Sequence, residues 1–188
     1  MVDCINIIRD KSEQVTEEKR LQAFDELEML VEGIDNASNM DKMNLWPAIF
    51  ECLQPEESLE VTRFALWIIG TCAQNNPETQ KCLQEKHGIF EKLLELWTRL
   101  PAVHQKIMYC LSSLLSNNPA GLEQFVTLKG FETINNFEKD DVLLQKKLKF
   151  LITILGNEIG PDAVRCLINS CPELKIIEEA PGSDVESD

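Results

Sequence analysis

The sequence predicts an all-α fold built from repeated helical units. Three observations carry that expectation. Residues 59–74 place Val61, Phe64, Ala65, Ile68, Ile69 and Cys72 at the i, i+3, i+4, i+7, i+8 and i+11 positions of one broad apolar helix face. The pattern returns forty-two residues later with the same punctuation: Val61 falls on Val103, Trp67 on Tyr109, Asn75-Asn76-Pro77 on Asn117-Asn118-Pro119, and Gly88 on Gly130. No segment of useful length alternates apolar and polar residues as a half-buried strand does.

Taken in order, residues 2–9 predict a short amphipathic helix through Val2, Ile5 and Ile8. Residues 17–34 predict a helix with Thr16 as N-cap, Glu17 and Glu18 at its positive end, and an apolar line of Leu21, Phe24, Leu27, Leu30, Val31 and Ile34. Residues 33–39 are rich in turn formers and predict a loop. A helix over 40–53 follows, with Pro47 in its first turn. The first full repeat is then three helices: 59–74, 77–86 and 89–99. Asn76 caps the second at Pro77, and Gly88 is its left-handed stop. The next repeat copies this at 103–116, 119–128 and 130–138. A third begins at 141–156, where Phe150, Leu151, Ile154 and Leu155 repeat the apolar face and Gly156-Asn157 the turn. Helices near 161–169 and 173–179 complete it. A helical period of this length is that of armadillo or HEAT repeats. The expected architecture is an armadillo-like right-handed superhelix of about three to four repeats over residues 1–179, with an acidic tail at 180–188.

In a chain of 188 residues, 44% of them hydrophobic, such a stack buries a proper core. The net charge of −14 and the lack of a basic stripe argue against nucleic acid. Apolar runs are short and broken by charges, which argues against a membrane partner. An acidic surface suits a partner with a basic face, or serves only solubility. Seven cysteines without a Cys-x-x-Cys pair, and an N-terminus without a basic start and long apolar run, point to a reducing compartment, the cytosol. A monomer is expected.

In helix-triplet solenoids the long helix of each unit lines the concave side. Its outward positions here fall in register: Arg63, Gln105 and Gln145; then Trp67, Tyr109 and Lys149; then Thr71, Ser113 and Thr153. Trp67 and Tyr109 lie beside the apolar stripe and are read either as interface aromatics or as packing over the groove floor. Peptide-cargo armadillo proteins place asparagines where Thr71, Ser113 and Thr153 stand. Without those amides the groove lacks the usual backbone clamp. His87 and His104 are read as isolated surface or capping residues. No phosphate-binding glycine motif and no nucleophile with a supporting base is found, so no catalytic residue, cofactor or metal is expected.

Several stretches carry a resemblance: Leu21 to Glu32, Ile34-Asp35-Asn36-Ala37-Ser38-Asn39, Asn44-Leu45-Trp46, and Ala65 to Asn76. Together they resemble the armadillo-type nucleotide-exchange factors of heat shock protein 70 chaperones, specifically over about residues 20–90 and more loosely beyond. The resemblance implies a non-enzymatic co-chaperone. Its concave surface holds one lobe of the chaperone's ATPase domain, opens the nucleotide cleft and promotes release of ADP and then of the client. It also implies contacts from Asp35, Asn36, Ala37 and Asn39 at the groove edge, so that Ala37→Arg is the expected disruption. Lys146 matches a basic position where fungal members often carry arginine; lysine keeps the charge but loses the bidentate fork. The chain begins almost at the repeats and ends after about three and a half of them. A client-expelling N-terminal segment is therefore not expected, and the groove is expected to hold less of the lobe. The alternative is an armadillo scaffold that binds protein without exchange activity.

Overall fold

A computed structural model describes residues 1–135 and 141–160. The described residues contain eleven α-helices, one 3-10 turn and no strand. They are α1 (Val2–Arg9), α2 (Glu17–Val31), α3 (Ile34–Lys42), α4 (Trp46–Glu51), α5 (Leu59–Ala73), α6 (Pro77–His87), α7 (Ile89–Arg99), α8 (His104–Leu115), α9 (Pro119–Thr127), α10 (Gly130–Ile134) and α11 (Val142–Ile159), with the 3-10 turn at Pro101–Val103. The expected helices at 161–169 and 173–179 and the tail lie outside the described residues.

Helix starts follow the caps written in the chain. Side-chain oxygens of Thr16, Ser58, Asn76, Asn118 and Asp141 accept from the backbone N–H three residues on, at 2.9–3.3 Å. Each satisfies one amide the helix leaves unpaired at its first turn. Proline occupies the first turn of α4, α6 and α9. Asn75 and Asn117 adopt left-handed backbone (φ 52° and 51°), so both repeats turn the same way from long helix to short.

The repeats stack in layers. The long helices α2, α5, α8 and α11 pack each on the next; the short helices α3, α6 and α9 form a second row, and α7 packs on α10. One continuous core runs through them, with Phe24, Trp46, Phe90, Phe125 and Phe131 essentially inaccessible. Phe90, Phe125 and Phe131 link α7, α9 and α10, with ring centroids 5.6 and 5.0 Å apart. Polar ties cross the layers: buried Gln80 of α6 donates to the carbonyls of Ser113 (2.8 Å) and Ser116 (3.0 Å), two of the open acceptors at the end of α8. At the other end of the stack, Arg20 donates to the Ile8 carbonyl (2.8 Å) and to Glu57 (2.9 Å), while Lys11 lies 2.6 Å from the same carboxylate. All five described cysteines are free and buried.

Four local expectations are corrected. Residues 34–42 are helix, not loop. Gly33 is the extended N-cap, Asp35 lies in the first turn where a negative charge favours the helix, and Ala37 and Met40 face the core. The break falls later, at Asn44 (φ 52°), which divides the predicted 40–53 helix. In the second repeat the left-handed stop is Lys129 (φ 54°), not Gly130. The glycine is needed because a side chain there would overlap the Phe125 ring. Finally, α11 runs through Gly156-Asn157 to Gly160 (φ 87°). It buries Leu144, Leu148, Leu151 and Leu155, and Phe150 is 60% exposed.

Candidate functional site: two clefts on the long-helix layer

Two clefts open on the layer formed by α2, α5, α8 and α11. The larger, about 680 Å³, is lined by Arg63 and Trp67 of α5, by Ala102, by Gln105, Lys106 and Tyr109 of α8, and by Lys147 of α11. The smaller, about 440 Å³, is lined by Glu28 and Glu32, by Ile34, Thr71, Gln74 and Asn75, and again by Tyr109. Tyr109 is thus the wall between a cleft carrying three cationic side chains and one carrying two carboxylates.

The wall is fixed by packing. Gly70 has no side chain, and a β-carbon there would overlap the Tyr109 ring, so the phenol lies directly against the α5 backbone. Its hydroxyl is 3.2 Å from the Thr71 hydroxyl, which donates to Glu28 at 3.1 Å. Burial pushes the Tyr109 phenol above its ordinary value. On the cationic side, the Lys106 ammonium stands 4.5 Å from the centre of the Trp67 ring, and Phe64 packs on that indole at 5.7 Å. Burial holds the Lys106 amine below its ordinary value. Arg63 pairs with Glu60 at 2.6 Å and donates to the Ala102 carbonyl at 3.3 Å.

Of the expected groove positions, Arg63, Trp67, Thr71, Gln105 and Tyr109 line these clefts. Ser113 does not: it is buried, and its carbonyl is held by Gln80. On α11 the cleft is lined by Lys147, while Lys146 and Lys149 are exposed elsewhere on the helix and Gln145 is half-buried. The α3 residues are dispersed around their helix. Asp35 is exposed; Asn36 is half-buried and donates to the Leu30 carbonyl at 2.8 Å; Asn39 is half-buried; Ala37 is buried in the core. Sequence reasoning missed Lys106, Lys147, Glu28 and Glu32. Lys106 follows Gln105 directly, and a cleft between two helices admits both neighbours; Glu28 stands one position beyond the expected apolar line of α2.

The histidines are not isolated. His104 stacks on Trp97 with centroids 3.8 Å apart, its Nε2 2.7 Å from the Trp97 carbonyl. His87 lies with Asp41 and Cys82 such that one donor atom from each falls within 4.8 Å of the others.

The fold defines an all-α, armadillo-like repeat protein. A family model described as "Nucleotide exchange factor Fes1" matches residues 1–40. The chain is 41% identical over 137 residues to the Hsp70 nucleotide exchange factor FES1 of Mycosarcoma maydis, covering 72% of this chain and 35% of that one. It is 32% identical over 160 residues to its namesake from Gibberella zeae, covering 82% and 72%, and 32% identical over 145 residues to that of Saccharomyces cerevisiae, covering 76% and 50%. The chain belongs to the Hsp70 nucleotide exchange factor FES1 family. Its match spans between about a third and three quarters of the length of these relatives.

Proposed function

We propose that the chain is a cytosolic nucleotide-exchange factor that binds the ATPase domain of a heat shock protein 70 as a monomer, opens its nucleotide cleft and promotes ADP release, with no catalytic chemistry of its own. The observation that supports this most is the pair of clefts divided by Tyr109, carried by the long-helix layer of a chain in this family. Arg63, Lys106 and Lys147 give one cleft a positive lining in a chain of net charge −14, which suits an acidic patch on the partner and discriminates among surfaces. The chain acts by preferring the open state of its partner; each tenfold preference is worth about 1.4 kcal/mol. Free, buried cysteines suit the cytosol. Among the described residues no helix is long and apolar enough to cross a membrane.

The test is stopped-flow release of a fluorescent ADP analogue from a heat shock protein 70, with wild type, Trp67→Ala and Lys106→Glu. Wild type should accelerate release. Each variant should need about tenfold more protein for the same rate at unchanged helicity. Binding without acceleration, with the chaperone shown competent using another exchange factor, would make the chain a scaffold instead.

A further inference from the structure

Away from the clefts, three chemically different metal donors converge where the short-helix row packs. Cys82 and His87 come from α6, the latter at its last residue, and Asp41 comes from the last turn of α3. One donor atom from each lies within 4.8 Å of the other two. Donor atoms around a tetrahedral zinc ion are about 3.5 Å apart, given bonds of about 2.0–2.3 Å, so a closure of about 1 Å completes the geometry.

The surroundings suit a site more than a chance meeting. Cys82 is 7% exposed, so a bound metal would be shielded on that side. The His87 ring stacks on Phe50 at 5.1 Å and 22°, and lies 6.4 Å from Trp46, which restricts its rotation. Lys86 holds the Asp41 carboxylate at 2.6 Å, and its own side chain is 59% exposed, free to keep one oxygen while the other is engaged. The donors are one sulfur, one nitrogen and one oxygen, a set that borderline-soft divalent cations accept and calcium or magnesium do not.

We infer that Asp41, Cys82 and His87 form a site for a zinc-class divalent transition metal, with its fourth position open to water. Such an ion ties α3 to α6, so it locks the edge of the smaller cleft, to which α3 contributes Ile34, against the next repeat.

The test uses the purified full chain and the metals alone. Cobalt(II) titration should saturate at one equivalent with a thiolate-to-cobalt charge-transfer band. That band should vanish in Cys82→Ser, and affinity should fall about tenfold or more in His87→Gln and Asp41→Asn. Zinc should displace the cobalt and raise the thermal midpoint of wild type but not of Cys82→Ser, with circular dichroism confirming that each variant is folded. A band that persists in folded Cys82→Ser, or no cobalt uptake by wild type, overturns the site. Lys86→Gln is the companion variant: it keeps all three donors and should keep the band.

Discussion

The ring of Tyr109 lies against the naked backbone of Gly70, and its hydroxyl meets that of Thr71 one residue on. One aromatic wall therefore depends on a missing β-carbon in the neighbouring repeat. Gly70→Ala gains about 1 kcal/mol of helix propensity and loses about 1–3 kcal/mol by overpacking. The expected net cost is about 1 kcal/mol, because the ring has a cleft on either side into which it can swing. The larger effect should be on exchange activity, with the wall displaced. Chemical unfolding and nucleotide release measured on the same variant separate the two; full activity in a folded Gly70→Ala would show that the wall position is irrelevant.

Ala37→Arg is a poor probe of a surface contact. Ala37 is 2% exposed, on a helix packed against α2, α5 and α6. A buried, unpaired guanidinium should cost about 3–5 kcal/mol, and loss of activity would follow from loss of structure. Circular dichroism should show a clearly lowered melting midpoint. Asp35→Lys, at an exposed position on the same helix, should leave the midpoint within a few degrees and tests the contact itself.

Acid should loosen the beginning of the stack. Burial pushes the Glu57 carboxyl up, but hydrogen bonds from Arg20 and Lys11 outweigh it and hold the group below the ordinary carboxylate value. The folded value is the lower one. Its stabilisation is therefore complete above the unfolded value of about 4.3 and is lost as pH falls through the folded value. Urea midpoints should drop more steeply below about pH 4 for wild type than for Glu57→Gln. Parallel curves would deny Glu57 that role.

Gln80→Met keeps the volume of a buried side chain and removes its amide. The Ser113 and Ser116 carbonyls then lose their shared donor, at an expected cost of about 1–3 kcal/mol. The variant should also raise amide exchange at the end of α8 before it does so in α2. Uniform acceleration across both helices would point to a global rather than a local tie.

Helix starts were legible because a capping side chain acts within three residues of itself. Thr16, Ser58, Asn76, Asn118 and Asp141 all begin helices as local chemistry dictates. The 33–39 stretch misled for the complementary reason. Its glycine, asparagines and serine favour a turn in isolation, whereas burial of Ala37 and Met40 against neighbouring helices decides for helix. Gly156-Asn157 likewise lies inside α11 despite its turn-like composition. Of the groove rows, Arg63, Trp67, Thr71, Gln105 and Tyr109 fall on the clefts and Ser113 does not. Repeat alignment finds Trp67 and Tyr109, but which of Gln145, Lys146 and Lys147 meets the cleft depends on how α11 is rotated against α8, and no local signal sets that angle. The grouping of Asp41, Cys82 and His87 spans two repeats, so spacing along one helix could not reveal it.

The three tryptophans sit in α4, α5 and α7, each beside a different side chain: Trp46 near His87, Trp67 beneath Lys106, Trp97 against His104. Trp46 is sealed in the core, Trp67 faces the larger cleft, and Trp97, though nearly inaccessible, lines a further opening with Thr98, Pro101 and His104. Indole light responds to its immediate surroundings, so the molecule carries its own set of lamps, one ahead of the first full repeat and two inside it. Single-tryptophan versions would show which lamp darkens first as the stack comes apart, and whether a partner arriving at Trp67 is felt at the other two.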